Sequence, residues 1–524
     1  MLDEIKEECG VAALYWLGKP RCDIEKAGQM KCGDDVVALM PQVLLNLQNR
    51  GQLASGLSSY NPCRKQVLDT YKDIGTVNEV FRMSHPAKHT AILEKYAGPA
   101  AIGHTRYATC GLDDERYAQP FERHHGRLWK WFAFAFNGNL ANYSVLRNRL
   151  LSKRDYHFTL DTDTEIIMHM LSFALRGNKA PDLANVMRLL AREFDGAYNI
   201  TFIDAMGRMF VARDPVGLRP LSYGVKGRLF AAASESVALS NLGFTDIRHL
   251  EPGQMVIVEN GHMRVQRYAK RKKVARCFFE WVYFSSVGST MDDSSVYLAR
   301  ARSGAALAAM EDQPVDANSI VVPVPDTAKA AADAFAFAMK IPCVEGLIRN
   351  RYVGRTFIQP GSTRTSSARY KYTPLPAVLG GKKVFLLEDS IVRSTTLAAL
   401  AKQLRERGGA KEIHVRVACP PIIAPCFYGI DMSTLKELFA ANIVGRKYNG
   451  TPTPRMLAAM AKALGIDSLK YLPVSALPDC IQVPPDSLCT GCVTGHYPTR
   501  WGNKLMVMAR QKQLEGKEGG RTYE

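Results

Sequence analysis

The chain reads as two domains in series, an α+β layered domain followed by an α/β domain built on a parallel sheet. Three observations lead there. At 524 residues the chain is longer than one hydrophobic core ordinarily serves. Its first half is a succession of strands and turns, CGVAALYWL, AAIGHTRYAT, FAFAFNGNL, YNITFIDAMGRMFVARD and RLFAAASES, with helical patterns such as TDTEIIMHMLSFAL between them. Its second half alternates helix and apolar strand: SGAALAAMEDQ, SIVVPVPD, AKAAADAFAFAMK, VEGLI, KVFLLED, TLAALAKQLRERG, IHVRVACPP. That alternation is the pattern of a parallel sheet with crossover helices. The basic run AKRKKVAR, 269–276, marks the junction, and the charged tail from Arg510 is expected to fray.

Composition narrows the function classes. The formal charge is +18, yet the basic residues are scattered, and no zinc-finger or RNA-recognition pattern interleaves them, so no nucleic-acid partner is expected. Polyanionic small substrates account for part of the excess. No apolar stretch is long enough to cross a bilayer. The start, MLDEIKEE, is acidic and lacks the apolar segment of a secretory signal. A cytoplasmic protein is expected, and its 12 cysteines are read as thiols and metal ligands rather than disulfides.

One run carries the most chemistry. Val384 to Thr396 reads VFLLEDSIVRSTT: a buried strand, the carboxylates Glu388 and Asp389 at its end, and a hydroxyl-rich loop leading into a helix. Free N–H groups at a helix start, together with hydroxyls, suit a phosphate. Two carboxylates can accept from vicinal sugar hydroxyls or hold a hard cation. The run resembles the 5-phosphoribosyl-1-pyrophosphate (PRPP) motif of phosphoribosyltransferases. By that resemblance Glu388 and Asp389 hold the ribose hydroxyls and Mg2+, and Ser390, Ile391, Val392, Arg393, Ser394, Thr395 and Thr396 hold the 5-phosphate. VVPVPDT, ending at Asp326 and Thr327, matches the family's pyrophosphate loop, with Thr327 as a magnesium contact. IRNRYVGRTFIQ, with Arg349, Arg351 and Arg355, resembles the mobile loop that closes over PRPP and excludes water from C1.

The first half adds a second set: Cys9-Gly10-Val11, NRGQLASG (49–56), HTRYATCG (104–111), NGNL (137–140), DTDTE (161–165) and RDPVGLRPL (213–221). In this order they resemble the glutaminase domain of class II glutamine amidotransferases, which are N-terminal-nucleophile hydrolases with layered α/β/β/α folds. Amide hydrolysis needs a nucleophile, a base and an oxyanion site. A terminal cysteine can use its own α-amine, of pKa ~8, as the base. The resemblance therefore implies removal of residues 1–8, with Cys9 as nucleophile, Asn137 and Gly138 as the oxyanion hole, Arg106 for the substrate carboxylate and Asp163 for its α-amine. Arg50 is expected to support the Cys9 region.

Cysteine spacing gives a third signal. Cys489 and Cys492 form a CTGC pair, Cys277 opens CFFEWVYF, and Cys426 lies in PCFYGIDM. By count, four thiolates suit zinc or iron–sulfur equally. Their contexts resemble the [4Fe–4S] ligands of one branch of the amidophosphoribosyltransferase family, which decides for iron–sulfur. Cys22, Cys32, Cys63, Cys110 and Cys343 are read as packed thiols. The whole order of motifs is that of this family. It implies glutamine and PRPP as substrates, Mg2+ as cofactor, purine nucleotides as feedback inhibitors, a homo-oligomer (a tetramer) and the division 1–8, 9–268, 269–475 and 476–524, with a type I phosphoribosyltransferase fold for the third part. Glu388 and Ser394 stand where the family usually has Asp and Gly, and Thr363 to Leu375 departs from its arginine-rich consensus. Two other readings are a paralogue with an altered acceptor and a non-catalytic, redox-sensing nucleotide-binding regulator.

Overall fold

The computed structural model describes residues 9–516 apart from 20–21, 25–29, 33, 108–113, 154–155, 272, 351–371, 433, 446–447 and 449. The first half is four layers deep. A seven-stranded antiparallel sheet has the order Ile247–His249, Ser222–Lys226, Leu229–Ala233, Gly10–Trp16, Ala100–Arg106, Ala54–Tyr60, Leu68–Ile74. A six-stranded antiparallel sheet has the order His262–Arg267, Gln254–Glu259, Met209–Arg213, Gly196–Asp204, Phe132–Leu140, Phe121–Arg123.

Strand alternation explains why these layers stack. In Phe132–Leu140 the residues Phe132, Phe134 and Phe136 face a helical layer made by Tyr143–Leu151, Asp163–Ala174 and Leu183–Glu193, while Ala133 and Ala135 face the other sheet. In Gly10–Trp16, Val11, Ala13 and Tyr15 face that same inter-sheet core, and Ala12 and Leu14 pack against the helices on the opposite side, Met40–Asn46 among them. Small residues between the sheets permit close approach, and large ones fill the looser helix–sheet layers.

The second half carries a four-stranded parallel sheet in sequence order, Ser319–Pro323, Lys383–Glu388, Glu412–Val417, Ser468–Tyr471. Lys329–Met339, Thr395–Glu406 and Pro454–Leu464 are its crossover helices. All four strands point the same way, so the loops after Pro323 and Glu388 open at one edge, where α/β sheets bind ligands. VEGLI departs from expectation. Its strand begins only at Leu347, runs to Arg349 and pairs antiparallel with Tyr372–Pro374, outside the main sheet. The tail expected to fray from Arg510 is helical to Leu514, within Arg500–Leu514. Among the described residues no helix is long and apolar enough to cross a membrane.

The halves share a buried seam. Ala141, Ala197, Val216 and Leu218 belong to the same apolar cluster as the parallel-sheet core. Polar bonds cross it as well, including Asn139 Nδ2 to Phe427 O at 3.1 Å and Arg219 Nη2 to Tyr428 O at 2.5 Å.

Candidate active site

Cys9 stands at the foot of strand Gly10–Trp16, half-buried, with its Sγ 3.7 Å from Tyr107 O. It lines a small cavity of about 30 Å³ together with Arg106, Tyr107, Tyr117, Gln119, Gly138 and Asp163. Four of the expected glutamine-site residues are thus gathered from four separate segments. Asn137 is buried beside them, donating from Nδ2 to Ser234 Oγ at 3.3 Å. Ser234 Oγ also accepts from Val11 N at 3.0 Å, so one hydroxyl joins the nucleophile's strand to the oxyanion amide.

Gly138 could be no other residue. Its φ is +148°, and a Cβ there would lie 2.0 Å from Ala197 O across the paired strand. Gly138 lines the Cys9 cavity, while Asn137 and Asn139 stay in register with Asn199 and Ala197. Arg106 ends strand Ala100–Arg106, with its guanidinium 5.4 Å from the Tyr117 ring centroid. Asp163 opens helix Asp163–Ala174, whose N-cap Thr162 accepts from Glu165 N. Burial pushes the Asp163 carboxyl up to about 6, against the bond it accepts from Leu140 N at 3.3 Å. No histidine lines this cavity among the described residues. His104 lies buried nearby, bonded to Phe136 O, and desolvation pushes it down to about 3. Such a weak base suits amide hydrolysis poorly.

The second site lies at the open edge of the parallel sheet. A cavity of about 580 Å³ is lined by Val324 to Thr327, Arg349, Tyr372, Glu388 to Arg393 and Thr396. Asn46, Asn49 and Gln52 of the first half line it too. Asp389 is buried. Its two oxygens accept from the hydroxyls of Thr327 and, at 2.6 Å, Ser390. Glu388, longer than the family's aspartate, folds back so that its Oε1 accepts from Asp389 N at 3.1 Å. Arg349 Nη1 bonds Asp326 Oδ2 at 2.8 Å. Arg351 and Arg355 lie outside the described residues. Ser394, which stands where the family usually has glycine, has φ −81° and ψ −22°, a backbone that any residue adopts without strain. Ser394 and Thr395 do not line the cavity as drawn by its walls. Neither Asp389 nor Ser390 caps the helix; Ser394 occupies the N-cap position without a side-chain bond.

The four expected metal-ligating cysteines meet between the halves. Cys277, Cys426, Cys489 and Cys492 line one small cavity with Leu218, Arg219, Tyr428 and Tyr497. Cys277 and Cys489 are register partners in a two-stranded parallel bridge. Cys492 O accepts from Ile423 N and Ala424 N at 2.9 and 3.0 Å, which fixes the loop carrying Cys426. Tyr428 N donates to Cys426 Sγ at 3.4 Å. Burial pushes the Cys489 thiol up to about 12 and that of Cys492 well above its usual range. Among the described residues, no group of three or more His, Cys, Asp and Glu is placed to hold a metal ion.

Arg50, expected to support the Cys9 region, bonds Glu235, Glu280 and Ser285, and Glu235 adjoins Ser234, which holds Val11 N of the Cys9 strand. Two thiol readings need correction. Cys63 is disulfide-bonded and Cys343 is exposed, so neither is a packed thiol. Ser234, Tyr117 and Gln119 at the Cys9 site, and Arg300 in the wall of the acceptor cavity, carry no sequence signal of a site role. Ser234 lies inside a segment that reads only as a strand end, and the others carry no spacing signal.

A nucleophile-to-carboxylate cavity on a four-layered α/β/β/α domain, joined to a carboxylate-and-hydroxyl cavity on a parallel sheet, defines a glutamine amidotransferase fused to a phosphoribosyltransferase-type domain. Sequence comparison agrees. Residues 83–245 match the glutamine amidotransferase domain. Amidophosphoribosyltransferases of Methanothermobacter thermautotrophicus and Bacillus subtilis are 36% and 35% identical, each over 95% of this chain and 95% and 96% of theirs. The solved B. subtilis glutamine PRPP amidotransferase, complexed with ADP and GMP, superposes with a TM-score of 0.78 at 33% identity, over 94% of this chain and 98% of that one. A second structure, described as the allosteric regulatory enzyme of purine biosynthesis, gives 0.79 at 33% identity over 94% of this chain and 96% of its own. The chain belongs to the amidophosphoribosyltransferase family.

Proposed function

We propose that the chain takes the amide nitrogen of glutamine and transfers it to C1 of PRPP, giving glutamate, 5-phosphoribosylamine and pyrophosphate, the first step of purine synthesis. The observation that carries this reading is the convergence of Cys9, Arg106, Gly138 and Asp163 on one cavity, in the same chain as the Asp326, Glu388 and Asp389 cavity. After removal of 1–8 the freed amine of Cys9 takes the thiol proton. Sγ attacks the amide carbon, and Asn137 Nδ2 and Gly138 N–H hold the oxyanion. The C–N bond breaks, the proton leaves with ammonia, and water then releases glutamate from the thioester. Arg106 pairs with the substrate carboxylate in a bidentate fork, and ionised Asp163 accepts from its ammonium.

At the second cavity ammonia attacks C1 as the C1–O bond to pyrophosphate breaks. Asp326 and its neighbours face the pyrophosphate, Glu388 and Asp389 the ribose hydroxyls, and Ser390 to Arg393 with Thr396 the 5-phosphate. Mg2+ fits here, because it binds through one or two carboxylates plus substrate phosphates and needs no all-protein cage. Thr327, Glu388 and Asp389 would hold it, and it would neutralise charge on the leaving pyrophosphate. Ammonia released to water at pH 7 is mostly protonated and not nucleophilic, so direct passage between the cavities is favoured.

The four cysteines fit a [4Fe–4S] cluster. All are buried around one cavity, and the resemblance of their contexts to the family's cluster ligands favours iron–sulfur over zinc, which their number alone does not. Such a group would stabilise the thiolates that burial disfavours and fix the C-terminal segment to the seam. The division 9–268, 269–475 and 476–524, a cytoplasmic homo-oligomer, and purine nucleotides as inhibitors belong to the same proposal. The B. subtilis complex with ADP and GMP supports the nucleotide part. Formation of 5-phosphoribosylamine by purified, anaerobically prepared protein tests the reading. Glutamine hydrolysis indifferent to PRPP, with no such product, would refute it.

A further inference from the structure

The seam contains a carboxylate that the chemistry above does not use. Glu235 is fully buried, and each of its oxygens takes two donors. Oε1 accepts from Asn49 Nδ2 and Arg50 Nε, both at 2.7 Å. Oε2 accepts from Ser286 N and Ser289 Oγ, both at 2.8 Å. The first pair belongs to the layered domain. The second pair follows the turn Glu280–Phe284 of the other half. Glu280 extends the network, bonding Arg50 Nη2 at 2.5 Å and pairing with Arg219 Nη1 at 3.4 Å. Two carboxylates and two guanidiniums are thus paired in a region closed to water, with buried Arg300 held beside them by Ser285 O at 2.8 Å, and each charge depends on the others.

This network touches both cavities. On one side Glu235 directly follows Ser234, whose Oγ holds Val11 N of the nucleophile's strand and Asn137 Nδ2 of the oxyanion site. On the other side Asn49, Phe284 and Ser286 line the acceptor cavity, and Asn49 Nδ2 also donates to Phe284 O at 3.0 Å. Any shift of the 284–286 lining moves one of the two donor pairs on Glu235, and the strain falls on the residue next to Ser234.

We propose that Glu235 is a positioning residue that conveys occupancy of the acceptor cavity to the glutamine site, setting the aim of Asn137 through Ser234. This rests on the function proposed above. A buried carboxylate suits the task because it accepts four bonds at once. A glutamine there keeps the volume but turns one acceptor end into a donor, which must face N–H or O–H groups. The clamp is then broken on one side, and Arg50 keeps Glu280 but not Glu235 as counter-charge.

The test is Glu235→Gln, with Ser289→Ala as a milder variant that removes one bond and no charge. Three rates are read in each: glutamine hydrolysis without PRPP, the same at saturating PRPP, and product formation from PRPP and ammonium salt. We expect the PRPP stimulation of hydrolysis to fall about tenfold in Glu235→Gln and about threefold in Ser289→Ala, a range usual for residues that carry coupling. The KM for PRPP in the ammonia reaction should stay within about twofold of the parent. A purely structural role would instead lower all three rates together. Ser289→Ala alone decides the matter if Glu235→Gln does not fold. Parental stimulation in a variant that retains the ammonia reaction overturns the inference. Absence of the ammonia reaction from the parent protein overturns the proposed function and this inference with it.

Discussion

The raised Asp163 carboxyl makes the glutamine site sensitive to pH in a way that separates two of its groups. Burial moves it from 3.8 to about 6. A shift of that size corresponds to about 3 kcal/mol of disfavoured ionisation. Because the folded value lies above the unfolded one, the ligand-free domain binds a proton on folding between about pH 4 and pH 6, and its stability falls as pH rises through that window. A bound ammonium offsets this by pairing with the carboxylate. Glutamine therefore needs Asp163 ionised, and at pH 5 only about a tenth of it is. The Cys9 amine, of pKa ~8, must also be neutral in the free enzyme. Hydrolysis measured without PRPP, to avoid titration of its phosphates, should give log kcat/KM a slope of about one between pH 6 and 8, steepening to about two below pH 6. Asp163→Asn should lower kcat/KM at pH 7 by about 30-fold or more, as expected when a buried charge loses its partner, and should remove the lower break. A single slope across the range in the parent protein, or a lower break that survives in Asp163→Asn, would refute the reasoning.

Other consequences follow from the same geometry. N-terminal sequencing of active protein should begin at Cys9, and Cys9→Ala should lose glutamine hydrolysis while keeping synthesis from ammonia; full activity with residues 1–8 attached would sink the amine-as-base mechanism. Asp389→Asn should raise the KM for PRPP by about tenfold and reduce PRPP-stimulated hydrolysis with it, since Asp389 anchors the hydroxyls of both Thr327 and Ser390; an unchanged KM would remove Asp389 from the ribose site. Iron and sulfide should be stoichiometric with the chain, and Cys489→Ser should lower the Tm; zinc without iron would exclude the cluster. Ser394→Gly should leave the KM for PRPP within about twofold, because the serine already sits at an ordinary helical φ.

The sequence made the layers legible because their signals are local. FAFAFNGNL announces a strand with one large and one small face, and the structure uses the large face for helices and the small one for the opposing sheet. The run KVFLLED announces a buried parallel strand by its unbroken apolar core. What failed was whatever depends on pairing across the chain. VEGLI has the composition of a core strand, but its last residues pair with Tyr372–Pro374, a partner no window around it contains. Ser394 shows a different limit, since the sequence reveals a serine in place of the family's glycine but not the backbone it adopts. A family glycine marks a position where glycine is tolerated, and only the backbone angles tell whether it is required. Gly138 is required, at φ +148° with Ala197 O in the way of any Cβ.

The active sites divide along the same line. Residues that face substrate, such as Cys9, Asp163 and Asp389, sit in recognisable runs because several neighbours must cooperate to aim them. Residues that hold those runs against each other leave no such mark. Arg50 lies within a recognisable motif, yet its partners Glu235 and Glu280 are 185 and 230 positions away. Glu235 lies in its own half and Glu280 in the other, so its full set of partners is complete only once the two halves meet. Placing two guanidiniums and two carboxylates in that seam costs desolvation that an apolar seam would avoid. An apolar seam would hold the halves together as well, but it would not oblige a movement on one side to change bonding on the other. The charged seam is thus better explained by communication between the two cavities than by stability.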